Sequence, residues 1–183
     1  MNPLFTAAIE VQDLCRRHGW GFCFIGGLAV LRWGEPRLTR DIDLTILAEF
    51  GNEEPVIDGL LSRFAARFDN AREFARQHRV ALLAADNGVP VDVALGALDF
   101  EKRAVQRASA WGVDEASLCT CSAEDLVVHK VFAGRDQDWL DVAGIVQRQL
   151  GTLDRDLIMS ELTPLLELKG NVSDLDRLRQ LLG

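Results

Sequence analysis

The sequence predicts an α/β protein of the α+β kind: a mixed β-sheet core followed by a small helical lobe. Three observations carry this. Short apolar runs of strand length alternate with helically spaced segments over roughly the first 118 residues. An Asn-Gly pair joins two of those runs, Val80–Ala85 and Val89–Leu95. From Ser122 onward only helical patterns remain, broken at Gly134, Gly151 and Gly170. The expected division is a core over 1–118 and a helical lobe over 119–183.

In order along the chain, Leu4, Ala8, Val11 and Cys15 have helical spacing, and Gly19 ends that helix. Phe22–Ile25 is a short buried strand broken by Gly26-Gly27, after which Leu28–Leu31 opens a helix stopped by Gly34 and Pro36. Asp41–Leu47 is a second strand with Ile42, Leu44 and Ile46 on one face. Glu53–His78 reads as helix through Leu60, Leu61, Phe64, Phe68 and Phe74, with a break in the pattern near Asp69-Asn70. A helix over Asp99–Ala108 and a last strand over Ser117–Cys121 follow. Ser122, with Asp125 three residues on, forms a partial capping box for the first helix of the lobe.

Composition narrows the function classes. The 183 residues suit one compact core with an appendage, and a hydrophobic fraction of 48% is ordinary for a globular chain. No run reaches the roughly 18–20 apolar residues of a membrane span, and the N-terminus lacks a secretory signal, so a cytoplasmic protein is expected. Cys15, Cys23, Cys119 and Cys121 are expected as reduced thiols, since Cys119-Thr-Cys121 is spaced too tightly for a zinc knuckle. Twenty basic against 28 acidic residues give a net charge of −8, which weighs against docking on nucleic acid without excluding it. No histidine has a partner at nucleophile–base spacing, and the four tryptophans read as packing residues.

The informative chemistry lies in Phe24-Ile25-Gly26-Gly27 and in Asp41-Ile42-Asp43-Leu44. Residues two apart on a strand share a face, so Asp41 and Asp43 project together. Paired carboxylates repel unless a cation compensates, and Mg²⁺ is the usual partner where phosphates are handled. By itself, an Asp-x-Asp also fits a solvated strand edge. Gly26 and Gly27 leave the backbone open to a phosphate at a helix start, although a plain strand-to-helix turn explains them equally. Asp92 is the one charge in an apolar strand, costly there unless paired or liganded; an exposed edge position is the alternative.

Together these residues resemble the nucleotidyltransferase superfamily that includes DNA polymerase beta, whose pattern is Gly-Gly or Gly-Ser, a spacer, Asp-x-Asp on a strand and a third acidic residue on a neighbouring strand. The likeness covers about residues 20–95. With Arg37-x-Thr39-x-Asp41-Ile42-Asp43 it is similar to the small prokaryotic branch holding the AbiEii/AbiGii toxins and the lincosamide-type nucleotidyltransferases. Residues 124–141, with Lys130, Arg135, Asp138 and Asp141, resemble the helical segment that follows the core in AbiEii-like proteins. The residues alone also read there as a solvated charged helix. Two departures stand out: Gly26-Gly27 replaces the frequent Gly-Ser, removing a hydroxyl, and the chain is shorter than the AbiEii-type toxins, so a toxin role does not follow.

The resemblance implies transfer of an NMP group from an NTP to an acceptor hydroxyl with release of pyrophosphate. Asp41, Asp43 and Asp92 would be the catalytic and metal-binding residues, with Mg²⁺ or Mn²⁺ as cofactor. Gly26, Gly27, Arg37, Thr39 and Lys130 would bind the nucleotide, and Asp92 would complete a second metal site or accept the proton of the attacking hydroxyl. The acceptor is left open among small molecule, protein and tRNA, with no membrane partner expected. The rival is a non-catalytic nucleotide-binding or interaction protein that keeps the fold, or a toxin–antitoxin component acting on tRNA or protein.

Overall fold

The computed structural model describes residues 2–114 and 116–183. It divides into two compact units, Met1–Leu28 with Leu38–Cys121, and Ala29–Arg37 with Ser122–Gly183.

Among the described residues, the first unit is built on a seven-stranded mixed sheet. Its strands are β1 (Phe22–Phe24), β2 (Ile42–Leu47), β3 (Ala65–Ala66), β4 (Val80–Ala84), β5 (Pro90–Gly96), β6 (Ser109–Val113) and β7 (Ala116–Thr120), in the order β3-β4-β5-β2-β1-β7-β6. β2 runs parallel to β5 and β1 parallel to β7, while the remaining neighbours are antiparallel. Ile42, Leu44 and Ile46 on β2 and Val91 and Val93 on β5 are buried, as the period of two requires. The β4–β5 hairpin closes where the Asn-Gly signal lies: Gly88 takes φ +81° and the Ala85 amide donates to the Val89 carbonyl at 2.9 Å.

Helix α1 (Pro3–His18) is capped by the Asn2 side chain and ends at Gly19 in the left-handed conformation. It is pinned to the sheet by buried Gln12, whose amide donates to the Ser117 carbonyl at 2.7 Å and accepts from the Cys119 amide at 2.9 Å. Such a buried amide is tolerated because both of its ends are paired. The expected helix over 53–78 is instead α3 (Glu54–Arg63), the short strand β3 and α4 (Ala71–His78). Phe64 leaves α3 in extended conformation, and Asn70 at φ +61° restarts the helix. β6 was not expected from the sequence: its first four residues are exposed or half-exposed, and it lies at the sheet edge, so it lacks a buried-face alternation. α5 (Asp99–Arg107) lies against β1 and β2.

The second unit is helical. α6 (Ala123–Ala133), α7 (Asp136–Arg148), α8 (Arg155–Lys169) and α9 (Ser173–Leu182) surround a core of Leu126, Val127, Val131, Val142, Ile145, Ile158, Leu162 and Leu178. The Ser122 hydroxyl accepts from the Asp125 amide at 3.1 Å, the capping interaction expected there. Gly134 and Gly170 close α6 and α8 in the left-handed region. Residues 29–37 join this unit because α7 grips them. Gln149 donates to the Trp33 carbonyl at 3.0 Å, Arg148 to the Gly34 carbonyl, and Gly144 leaves just enough room for Glu35. No helix among the described residues is long and apolar enough to cross a membrane.

Candidate active site

Helix α2 (Gly26–Trp33) begins at the two glycines themselves, not at Leu28. Gly26 has φ +57°, and a Cβ there would overlap the Asp43 carboxylate; a Cβ on Gly27 would overlap the Thr39 hydroxyl. Both glycines are therefore required by what lies against the turn. The Gly27 amide points at Asp43 Oδ2 across 3.4 Å, a weak contact, and the Ile25 amide donates to the Asp43 carbonyl at 2.9 Å.

Asp41 sits exposed in the bend just before β2, and the Thr39 hydroxyl donates to its Oδ1 at 3.1 Å. Asp43 is half-buried on β2, and Thr45, next on the same face, is buried, so this face opens to solvent at its Asp41–Asp43 end. On the parallel neighbour β5, Asp92 is the direct register partner of Asp43. Their side chains leave the sheet on one face, side by side. The unit thus gathers Gly26, Gly27, Thr39, Asp41, Asp43 and Asp92 at one corner of the sheet.

One participant had no signal in the sequence. Arg67, just past β3, forms an ion pair with Asp92, the two side chains being 31% and 33% exposed. Burial pushes the Asp92 carboxyl above its ordinary range; Arg67 opposes the push, and the charge of Asp41 adds to it. A carboxylate so raised is suited to take a proton.

Among the described residues, no group of three His, Cys, Asp or Glu side chains is close enough to hold a metal ion alone. Mg²⁺, however, is commonly held by one or two carboxylates, with substrate phosphates and water filling its other positions. The hard oxygens of Asp41 and Asp43 fit that demand, and Asp92 meets Arg67 as its cation.

The charged segment of the helical unit is part solvated and part buried, and Arg135 is 76% exposed. Lys130, Asp138 and Asp141 are buried, at 5%, 1% and 4% exposure. Lys130 Nζ lies 3.0 Å from Asp138 and 2.8 Å from Asp141. Arg37 grips Asp141 with two bonds, at 2.7 and 2.9 Å, and Arg135 reaches Asp138 at 2.6 Å. Burial alone would raise the Asp141 carboxyl; the hydrogen bonds from Arg37 and Lys130 outweigh it and hold the group down at about 2.

Trp20 stacks on His18, Trp111 meets Phe5 edge-on, and Arg177 covers buried Trp139. None of the four cysteines is joined in a disulfide among the described residues.

A glycine turn that opens a helix beside carboxylates on adjoining strands of a mixed sheet defines a nucleotidyltransferase, and the comparisons with known proteins agree. The family described as nucleotidyl transferase AbiEii toxin, type IV TA system, matches residues 14–177, and the chain belongs to that family. The chain is similar in structure to the antibiotic-resistance factor ANT(2'')-Ia, with a TM-score of 0.52 and 14% identity over 94% of this chain and 96% of that one. It is also similar to an antigenic nucleotidyltransferase-like protein from Paracoccidioides brasiliensis, with a TM-score of 0.50 and 14% identity over 92% and 89% of the two chains. Likeness at this identity speaks to the fold. The lincosamide antibiotic adenylyltransferase LnuA, lincomycin-bound, overlaps more loosely, at a TM-score of 0.48 and 14% identity over 76% and 94%. No curated protein matches the sequence.

Proposed function

We propose that this nucleotidyltransferase moves an NMP group from an NTP to an acceptor hydroxyl, releasing pyrophosphate, with Mg²⁺ or Mn²⁺ held by Asp41 and Asp43. The observation that carries the reading is the side-by-side register of Asp43 and Asp92 beside the Gly26-Gly27 turn.

In this mechanism the α2 amides behind the two glycines receive the triphosphate, since a helix start offers unpaired N–H groups and a favourable dipole. Thr39 steadies Asp41 through its hydroxyl. Asp41 and Asp43 supply the anionic oxygens that fix the NTP and cation together. A divalent cation held by these two carboxylates would supply neutralisation of charge on the phosphates and on the departing pyrophosphate. Asp92 would complete a second cation site or accept the proton of the attacking hydroxyl, and its raised affinity for protons supports the second role. The α-phosphorus bond to the acceptor oxygen forms as its bond to the bridging oxygen of pyrophosphate breaks.

Arg37 and Lys130 enter as candidate triphosphate cations by the family resemblance. Both already serve the carboxylates of Asp138 and Asp141, so holding that cluster together is their first task. For the acceptor, the net charge of −8 favours a small molecule or a protein over tRNA.

Incubation with NTPs labelled at the α-phosphate, Mg²⁺ and candidate acceptors, read by mass spectrometry, tests the proposal. An acceptor gaining one NMP in wild type but not in Asp43→Asn is the expected result. NTP hydrolysed to NMP with no acceptor labelled, at equal rates in both proteins, would contradict it.

A further inference from the structure

Arg67 owes its contact with Asp92 to the register of four strands. Ala66 on β3 pairs with Leu83 on β4, and the Arg67 amide continues that ladder by donating to the Leu82 carbonyl at 3.1 Å. Leu82 is the register partner of Asp92 on β5, and Asp92 that of Asp43 on β2. Arg67, Leu82, Asp92 and Asp43 therefore form one row across the sheet, and residues in such a row share a face. The guanidinium spans two strand spacings, about 10 Å, over half-buried Leu82 to meet Asp92. Arginine has the length and the flat fork for that reach.

We propose that Arg67 is a positioning residue, a built-in counter-cation of Asp92 that competes with divalent metal for this carboxylate. The row leaves Asp92 flanked by Arg67 on one side and Asp43 on the other, so it can turn to one cation or the other. Metal drawn toward Asp43 engages Asp92 only as the guanidinium lets go. Arg67 thereby sets how much metal the site takes up before NTP arrives, which limits idle metal binding and links the readiness of Asp92 to nucleotide. This rests on the metal-dependent reading above.

The test is a Mn²⁺ titration without nucleotide, following free Mn²⁺ by electron paramagnetic resonance. It uses wild type, Arg67→Ala, Arg67→Gln and Arg67→Ala combined with Asp92→Asn. Circular dichroism checks folding, and Arg67→Gln keeps the stem over Leu82 should the alanine variant fold poorly. Removing a partly exposed ion pair should tighten Mn²⁺ binding about two- to fivefold in both single variants. Adding Asp92→Asn should erase the gain. A merely structural role predicts weaker binding, not tighter. Affinities equal to wild type, a gain that survives Asp92→Asn, or no Mn²⁺ binding by any of the proteins overturns the proposal. Because the titration needs no transfer, the expected gain with no NMP transfer would sink the catalytic reading alone. Transfer with unchanged Mn²⁺ affinity would sink the role of Arg67 alone.

Discussion

Asp43 and Asp92 are immediate neighbours across the parallel β2–β5 ladder, with the Arg67 guanidinium on the outer side of Asp92. Two carboxylates placed this way repel one another, a cost that a domain accepts where a cation is to be gathered. Replacing Asp43 by Asn relieves the repulsion. The expected outcome is an unchanged or raised melting temperature together with a loss of turnover of about 10²-fold or more. Measuring both on one preparation checks it; a parallel fall in stability and turnover would point to a structural carboxylate.

Gly26 and Gly88 both hold positive φ, at +57° and +81°, but only Gly26 has a neighbour where a Cβ would go. Gly88→Ala should cost about 1 kcal/mol of backbone strain. Gly26→Ala adds a collision with Asp43 and should cost roughly 2–4 kcal/mol. Urea denaturation of the two variants tests the order, and equal costs would mean that the Asp43 side chain yields freely.

Lys130 is buried between Asp138 and Asp141. Lys130→Met should destabilise by about 3 kcal/mol, the lower end for a broken buried pair, because each carboxylate keeps an arginine. Were Lys130 also a triphosphate ligand, the variant would lose NTP affinity while keeping NMP affinity, and Lys130→Arg would restore part of it. Calorimetric titration of both nucleotides separates the two roles.

Asp141 gives the helical unit an acid limit. Its carboxyl is held at about 2 against an ordinary 3.8, so between those values the unfolded chain binds a proton that the folded chain refuses. The resulting stability, on the order of 2 kcal/mol, is full above pH 4 and is lost as pH falls toward 2. Arg37→Leu removes the bidentate partner and should move the acid unfolding transition, followed by circular dichroism, to higher pH.

Much of this was legible in the sequence because it depends on local chemistry. The Asn-Gly hairpin, the Ser122 cap, the glycine turn and an isolated Asp92 in an apolar strand each announce themselves within a few residues. What escaped depends on distant pairing. Arg67 lies in a stretch whose aromatic spacing suggests helix, and its partnership with Asp92 exists only through the β3–β4–β5 register. β6 escaped because an exposed edge strand needs no apolar face. Asp138 and Asp141 read in sequence as part of a charged helical segment, but the pairing of Asp141 with Arg37 exists only because residues 29–37 belong to the helical unit.

The central claim is that Asp41 and Asp43 hold a divalent cation with the triphosphate. Thermal unfolding with a non-hydrolysable NTP analogue tests it without knowledge of the acceptor. With Mg²⁺ and analogue at about 100 times its Kd, wild type should gain about 2.7 kcal/mol of stability, and EDTA should abolish the gain. In Asp41→Asn combined with Asp43→Asn, the metal-dependent part should vanish while the unliganded protein melts as wild type does or higher. A metal-dependent shift of equal size in that double variant would contradict the account.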